Sequence, residues 1–284
     1  MIMRVSVIIT TRNRPFFLKR AINSVLTQSI LPYELIIIDD NSDNKFRADN
    51  INFKGVKFIY HYNSKKMGGN YSRNLGVKKS SGDILMFLDD DDIWLKNKIS
   101  DQLPLFEAGN EFVYSGKNFV SSTNLEKPFR KSKENSNNNN IWHGNYPGTT
   151  SSVAITKKIF LEAGKFDEEL QSLQDYDLWI RIIKITPAIW DKKYNINYTI
   201  HKNKNTQIST DTEKHLNSVK KIQKKYDSEL KYLDKKSYSI FQSRMNHVIA
   251  RSYRRNKNIL FFKYWVKSLV YKPSIRTLSL LFIA

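Results

Sequence analysis

Short apolar runs alternate with amphipathic segments of helical period along the first 120 residues. The runs at 5–9 and 35–38 are continuously apolar, which is typical of strands covered on both faces. Strands separated by helices indicate a largely parallel, doubly wound α/β sheet. The pattern predicts strands at 5–10, 33–39, 56–61, 84–88 and 112–121, and helices at 16–27, 70–79 and 96–108.

The pattern changes after residue 130. The polar stretch 131–140 ends in four asparagines and predicts a loop or a disordered insertion. Apolar periodicity then resumes, and from residue 213 onward it is helical. We expect one domain at 1–210 and a basic helical region at 211–284. The later predicted elements are helices at 157–163 and 175–185 and strands at 188–190 and 198–201.

Charge is concentrated at the C-terminus. The formal net charge is +20, and residues 211–284 hold 17 Lys and Arg against 5 Asp and Glu. Basic helices with interleaved aromatic residues suit an anionic membrane surface, or they form a solvated appendage packed on the main domain. A nucleic-acid-binding protein is a further alternative, although no nucleic-acid motif accompanies the charge.

The chain contains no cysteine, which excludes a disulfide scaffold, a thiolate metal site and a cysteine nucleophile. No apolar segment approaches the roughly 20 residues that span a bilayer. The apolar run near the N-terminus is too short for the core of a signal peptide. We therefore expect a cytoplasmic protein, peripheral to the inner face of the membrane if the basic helices bind there.

Four consecutive aspartates at 89–92 follow the apolar strand predicted at 84–88. Parallel α/β sheets bind ligands at the carboxyl ends of their strands, and four adjacent carboxylates repel unless a cation compensates them. One or two of them could cap a helix predicted to begin near residue 93. Capping does not require four, so we interpret the run as a site for Mg²⁺ or Mn²⁺ and a diphosphate.

Three other segments carry chemistry. Asp39 and Asp40 follow a second buried strand, a loop at 68–74 leads Arg73 into a helix, and Asp175 begins another helix. With the segments at 5–15, 39–42, 73–76, 87–94 and 174–181, the sequence resembles a family 2 glycosyltransferase of the GT-A fold over about residues 4–209. The resemblance implies an α/β fold of that type with a C-terminal basic helical extension.

The resemblance also implies roles for the donor site. Asp39 and Asp40 are similar to the carboxylates that receive the uracil or ribose of a nucleotide sugar, and Thr11 and Asn13 lie on the adjoining loop. Arg73 resembles the family's contact to the diphosphate or base.

Metal and catalytic roles follow from the same resemblance. Asp91 is the expected principal metal ligand, with Asp89 beside it. Asp89 and Asp90 face the nucleotide, although the extra carboxylate leaves the register open by one residue. His201 is either a metal ligand or structural. Asp175 resembles the catalytic base, with Gln174 where the family usually has glutamate.

The implied activity is inverting transfer of a sugar from a nucleotide donor, with UDP expected, to a hydroxyl of a lipid-linked oligosaccharide or surface polysaccharide. A polyprenyl-phosphate glycosyl synthase is the alternative within the same class. A nucleotidyltransferase would need a glycine-rich loop after the first strand, and residues 10–15 contain no glycine.

Overall fold

The computed structural model describes residues 3–49, 51–134, 140–201 and 211–282. The chain divides into two compact units. The first consists of Met1–Ser136, Pro147–Glu168 and Leu178–Lys202, and the second of Asn137–Tyr146, Glu169–Asp177 and Asn203–Ala284. The predicted boundary at residue 210 falls outside the described residues and stays a prediction.

Strands lie in two sheets of the first unit. The larger sheet has the order β10-β6-β9-β4-β1-β2-β3 and the smaller has the order β5-β11-β7-β8, with these bounds: β1 Val5–Thr11, β2 Glu34–Asp39, β3 Lys57–Tyr62, β4 Ile84–Asp89, β5 Ile93–Trp94, β6 Phe112–Tyr114, β7 Lys117–Ser121, β8 Arg130–Lys131, β9 Val153–Thr156, β10 Ala188–Trp190 and β11 Ile196–Ile200. Strands β1 to β4 pair in parallel, and β9 runs antiparallel to β4 and β6. The prediction of a mostly parallel α/β sheet is confirmed.

Helices follow the strands as the pattern predicts. Their bounds are α1 Pro15–Leu26, α2 Gly69–Lys79, α3 Lys98–Glu107, α4 Lys157–Glu162, α5 Gln174–Ile183, α6 Thr212–Lys225, α7 Asp227–Lys231, α8 Lys235–Arg255, α9 Leu260–Tyr271 and α10 Ile275–Leu278, with 3₁₀ turns at Ile141–His143, Thr150–Ser152 and Ser279–Leu281. The helical pattern predicted from residue 213 is confirmed. No helix among the described residues is both long and apolar enough to cross a bilayer.

The core of the first unit explains the position of the strand ends. The side chains of β1, β2 and β4 are buried on both faces, and α1 packs Leu18, Ile22 and Val25 into the same cluster. The parallel register aligns Thr11 with Asp39 and Thr10 with Asp89. Apolar burial therefore brings the polar residues that end these three strands to one edge of the sheet.

Two predicted elements were wrong in their bounds. The helix after the aspartate run begins at Lys98, because Ile93 and Trp94 form β5 and pair with β11. None of the four aspartates therefore caps a helix. The strand predicted at 112–121 is divided into β6 and β7, which belong to different sheets. The division falls at Gly116, where a Cβ atom would lie 2.7 Å from the Tyr194 ring.

Part of the predicted polar loop lies outside the described residues, at 135–139, while its first residue belongs to β8. In the second unit, α8 and α9 pack around a small core of Ala250, Phe261 and Leu280. Asp211 and Asp234 cap α6 and α8 by accepting backbone N–H groups of the first turn, which stabilises these highly polar helices.

Candidate active site

Asp39 holds the turn that follows β2. Its Oδ1 accepts the backbone N–H of Ser42 at 2.8 Å and its Oδ2 accepts the Tyr60 hydroxyl at 3.0 Å. Asn41 between them has a φ of 65°, a left-handed conformation that asparagine tolerates. The turn also fixes the neighbouring loop, because Ser42 Oγ accepts the backbone N–H of Asn13 at 2.8 Å.

Asp40 faces the loop that leads into α2. Its carboxylate accepts the backbone N–H groups of Met67 at 2.7 Å and Gly68 at 2.8 Å and the side-chain amide of Asn63 at 3.0 Å. Gly68 has a φ of 94°, which a residue with a Cβ rarely adopts. Asp40 thus sets the entry of the helix that carries Arg73. Its predicted contact with a nucleotide stays a prediction.

Arg14 joins the first loop to the aspartate run. Its Nη1 lies 3.1 Å from Asp90 Oδ1 and 2.9 Å from Asp91 Oδ2, while Thr11 donates its hydroxyl to Asp90 at 2.8 Å. Burial lowers the pKa of Arg14, but the charges of Asp90 and Asp91 outweigh it and leave the pKa raised. Burial, and then the adjacent Asp91, raise the pKa of Asp90 to about 7.

Asp91 pairs with His201. His201 Nε2 lies 2.8 Å from Asp91 Oδ2, and the imidazole meets the Phe17 ring edge to face at 5.1 Å. Burial raises the pKa of Asp91, but the His201 hydrogen bond and the charge of Arg14 outweigh it and lower the pKa. The structure therefore brings together Asp91 and His201, two of the three predicted metal ligands. A lowered pKa favours the ionised carboxylate, which is the form that binds a cation.

Asp89 contacts the second arginine of the site. Arg73 Nη2 lies 2.6 Å from Asp89 Oδ1, and Thr150 donates its hydroxyl to the same carboxylate at 3.0 Å. The Arg73 guanidinium also lies over the Phe166 ring at 5.5 Å. Its Nη1 is buried and has no hydrogen-bond acceptor among the described residues. A buried cationic donor of this kind is costly unless an acceptor meets it.

Asp92 is an anchor rather than a ligand-facing group. It is 1% exposed and accepts the Ser151 hydroxyl at 2.7 Å and the backbone N–H of Thr199 at 2.9 Å. Burial, and then the charges of Asp91 and Asp89, raise its pKa well above the ordinary value. Asp92 therefore ties the aspartate run to β11 and to the turn Thr150–Ser152.

Two buried side chains, Trp94 and Lys98, fix the turn Thr150–Ser152 by hydrogen bonds to its backbone. Trp94 Nε1 donates to the Ser151 carbonyl at 3.0 Å, and the buried Lys98 ammonium donates to the Ser152 carbonyl at 3.1 Å. Burial lowers the pKa of Lys98 to about 7. The position of the Thr150 hydroxyl beside Asp89 thus depends on two side chains that do not reach the strand ends themselves.

A cavity of about 490 Å³ lies beside these strand ends. Thr11, Asn13 and Asp39, three of the predicted nucleotide contacts, line it together with Arg14. The remainder of the lining comes from the start of α1 and the loop after β2, with Pro15, Leu18, Lys19, Ser42, Asp43, Asn44, Lys45, Phe46 and Arg47. Polar groups converging on such a concave site are typical of small-ligand binding.

Asp175 belongs to the second unit. Its Oδ2 accepts the side-chain amide of Asn145 at 3.0 Å and its Oδ1 accepts the backbone N–H of Tyr176 at 2.8 Å. Asp177, two residues later, is fully buried and lies 2.9 Å from the Lys225 ammonium. Asp177 is therefore an internal anchor, and the catalytic role of Asp175 stays a prediction.

Sequence reasoning missed the partners that sort the aspartates. Arg14, Ser151 and Thr199 contact the run from 59 to 108 positions away, so no local pattern identifies them. The one available signal was Arg14 itself, a cation on the loop after β1 that must face the strand end beside it. It could have been predicted as the compensating charge that the aspartate run requires.

Related proteins and solved structures resemble the chain to different extents. An uncharacterised glycosyltransferase of Rickettsia conorii is 30% identical over 69% of this chain, but the match spans 34% of that protein. A second relative, of Haemophilus influenzae, is 28% identical over 78% of this chain and 76% of its own length. In Campylobacter jejuni, the GalNAc(5)-diNAcBac-PP-undecaprenol beta-1,3-glucosyltransferase is 31% identical over 64% of this chain and 60% of its own length.

The fold resembles that of S. aureus TarS in complex with UDP, at a TM-score of 0.57 and 14% identity over 98% of this chain and 91% of the other. GalNAc-T7 with UDP, GalNAc and Mn²⁺ has a TM-score of 0.55 and 16% identity over 70% of this chain and 44% of the other. These likenesses confirm the GT-A fold. The chain matches only 34% of the length of the Rickettsia conorii relative and 34% of that of a Rickettsia felis glycosyltransferase.

The sequence model described as glycosyl transferase family 2 matches residues 6–164. The matched region holds every strand of the site from β1 to β9, with the aspartate run and both arginines, and ends before Asp175 and His201. Because this match covers more than half of the 284 residues, the chain belongs to glycosyl transferase family 2.

Proposed function

We propose that this glycosyltransferase transfers a sugar from a UDP-linked donor with inversion at the anomeric carbon and depends on a divalent cation. One observation carries the proposal. The guanidinium groups of Arg14 and Arg73 meet the aspartate run at the carboxyl ends of β1 and β4, beside a cavity of about 490 Å³. Solved structures of similar fold contain UDP or UDP-GlcNAc, which supports a uridine donor.

The nucleoside half of the donor is assigned to the cavity. Thr11, Asn13 and Asp39 line it, and the adjoining Asp40 fixes the loop between β3 and α2. Arg73 is assigned to the diphosphate, because its buried Nη1 needs an acceptor and phosphate oxygens are strong ones. Asp89 and Asp90 are assigned to the nucleotide side of the run.

The donor set fits a divalent cation. Asp91 and His201 are adjacent, Asp89 lies on the same turn, and no group of three or more acidic or histidine ligands converges among the described residues. Mg²⁺ and Mn²⁺ suit such a site, since they bind through one or two side chains together with substrate phosphates. When bound, the cation would neutralise charge that develops on the departing diphosphate.

Asp175 is assigned the role of general base. It would accept the proton of the acceptor hydroxyl as that oxygen attacks the anomeric carbon, so that one displacement inverts the configuration. A general base contributes about 10²- to 10⁴-fold to the rate. Asp175→Asn should therefore reduce transfer by about that factor and leave UDP binding intact.

The acceptor is assigned to the class of lipid-linked oligosaccharides or surface polysaccharides. The name of the Campylobacter jejuni relative specifies an undecaprenol-linked glycan, which supports a lipid-linked acceptor. Such an acceptor lies at a membrane, and the excess of 12 positive charges in residues 211–284 suits the anionic inner face. The protein would then work from the cytoplasm as a peripheral enzyme.

Calorimetric titration with UDP, with and without Mn²⁺, tests the donor and metal together. We expect metal-dependent binding that Asp91→Asn abolishes. The matched control is Glu107→Gln on the exposed end of α3, which removes one carboxylate outside the site and should bind as the wild type does. Absence of UDP binding in both conditions would exclude the uridine donor, and equal binding by Asp91→Asn would exclude Asp91 as a ligand.

A further inference from the structure

The last fifty residues carry no acidic side chain. Residues 235–284 contain no Asp or Glu and eleven basic residues, namely Lys235, Lys236, Arg244, Arg251, Arg254, Arg255, Lys257, Lys263, Lys267, Lys272 and Arg276. This region forms α8, α9 and α10. The charge imbalance predicted for the C-terminal quarter is therefore concentrated on two packed helices and the short segment that follows them.

Helix α9 has a buried side and, opposite to it, an exposed apolar side. Phe261 and Ser268 face the interior and are 4% and 0% exposed. On the opposite side, Ile259, Phe262, Val266 and Val270 are 80%, 53%, 49% and 78% exposed. Their spacing of three and four residues places them on one stripe of the helix. A helix side that faces solvent is normally polar, so this stripe is a surface that a partner would cover.

Basic residues flank the apolar stripe. Lys263 and Lys267 follow Phe262 and Val266 directly in sequence, are exposed, and lie on the next row of the same helix. Beyond the helix, Ile275 and Phe282 are also strongly exposed, at 85% and 87%. The combination of an apolar stripe and an adjacent row of lysines is typical of helices that lie in a membrane interface.

A groove adjoins the stripe. Its volume is about 460 Å³, and α6, α8 and α9 form its walls. Leu216, Val219 and Ile249 supply apolar lining, and Val266, Lys267 and Val270 belong to both the groove and the exposed face of α9. The apolar surface of the stripe therefore continues inward between the helices.

We propose that the exposed face of α9, with its flanking lysines and the adjoining groove, docks on an anionic phospholipid bilayer, an inference that builds on the peripheral membrane location in the proposed function. Charge selects this occupant. A second copy of the chain would bring two acid-free basic surfaces together, and like charges oppose that contact. A nucleic acid would use the lysines but would leave the aliphatic stripe exposed to water. A bilayer with acidic headgroups matches both features at once.

The absence of cysteine from the chain permits a site-specific test. Val270→Cys, labelled with a polarity-sensitive fluorophore, should shift to shorter emission wavelength when vesicles of phosphatidylcholine and phosphatidylglycerol are added. Vesicles of phosphatidylcholine alone should give a much weaker response, and added salt should weaken binding to the acidic vesicles. The matched control is the same label at Leu161→Cys, an exposed leucine of α4 in the first unit, which should not shift.

Cosedimentation with the same vesicles then separates the two contributions. The variant Phe262→Ser/Val266→Ser/Val270→Ser should bind at least about tenfold more weakly, because three apolar side chains no longer enter the interface. Lys263→Gln/Lys267→Gln should also lose about tenfold, but only on acidic vesicles. Lys96→Gln/Lys158→Gln in the first unit is the control for charge, since both lysines are exposed there.

Several results would overturn the proposal. They are no spectral shift at position 270, an equal shift at position 161, and equal binding to neutral and acidic vesicles. A dimer of the wild type in lipid-free sedimentation velocity that the apolar variant converts to a monomer would instead identify the stripe as a contact between copies. Circular dichroism establishes that each variant keeps its helices, and the Val270 label gives the answer even if the triple variant does not fold.

Discussion

His247 on α8 should make the helical unit sensitive to acid. The side chain is 5% exposed and its Nδ1 lies 3.1 Å from the Thr277 hydroxyl. Burial, and then the charges of Arg276, Arg251 and Arg244, lower its pKa from 6.5 to about 3. Between these two pKa values the unfolded chain binds more protons than the folded one. Stability therefore rises with pH in this window and is lost as pH falls below about 6.5.

The size of the effect follows from the two pKa values. At pH 5 nearly all unfolded molecules carry a proton on this histidine and nearly all folded molecules do not. The linkage relation then gives a loss of about 2 kcal/mol relative to pH 7. The result changes little if the native pKa is one unit higher, because at pH 5 the folded imidazole is mostly neutral in either case. A pH of 5 is therefore the most informative condition.

Urea unfolding of the wild type and His247→Gln at pH 7 and pH 5, followed by helical circular dichroism, measures this contribution. We expect the loss of unfolding free energy between the two pH values to be about 2 kcal/mol smaller in the variant. His61→Gln on β3 is the matched comparison, since burial lowers the pKa of this partly buried imidazole too, but by less, and its substitution should change the loss less than His247→Gln does. An equal loss in the wild type and His247→Gln would refute the assignment of acid sensitivity to His247.

Three further predictions concern the first unit. Glu34→Gln should lower the unfolding free energy, measured with urea, by about 2–3 kcal/mol, because the buried Glu34 carboxylate accepts the Ser81 N–H at 2.5 Å and the Ser81 hydroxyl at 2.9 Å. The pKa of Glu34 is lowered in the folded protein, so the difference from the wild type should shrink as acid protonates this carboxylate. Gly76→Ala should lower the unfolding free energy by about 1–3 kcal/mol in the same measurement, since the added Cβ atom would lie 2.5 Å from Ile8 Cγ2. An unchanged urea midpoint would contradict this packing. Burial lowers the pKa of Lys98 from 10.5 to about 7, so between these values the unfolded chain binds more protons than the folded one. The wild type should therefore gain about 2 kcal/mol of unfolding free energy between pH 7 and pH 9 relative to Lys98→Met.

The sheet was predictable because burial on both faces leaves a continuous apolar run. Strands β1, β2 and β4 have this signature, and the predicted bounds differ from the observed ones by one residue at most. The start of α3 was predicted at two positions, residue 96 from the helical pattern and near residue 93 from the end of the aspartate run, and the structure begins the helix at Lys98. Ile93 and Trp94 are an apolar pair that fits either period, and their pairing with β11 about 100 positions later decides that they are extended.

The site was predictable to the level of strand ends. Polar residues that directly follow buried parallel strands must gather at one edge, so Asp39 and the aspartate run could be placed there from sequence. Their individual partners could not be predicted. Asp40 binds backbone groups 27 and 28 positions away, which identifies it as the residue that shapes the loop before α2. Only the tertiary structure supplies such contacts.

The aspartate run shows how surroundings separate identical residues. Asp92 is buried, is hydrogen-bonded on both carboxylate oxygens and has a raised pKa. Asp90 contacts Arg14 and Thr11, and its pKa is also raised. Asp91 has a lowered pKa and keeps a side chain that is 16% exposed. A cation needs an ionised carboxylate that it can reach, so of these three neighbours the metal prediction depends on Asp91. The contacts of Arg14 and His201, which lower the pKa of Asp91, therefore favour this residue over Asp90 and Asp92, and its role as a metal ligand stays a prediction.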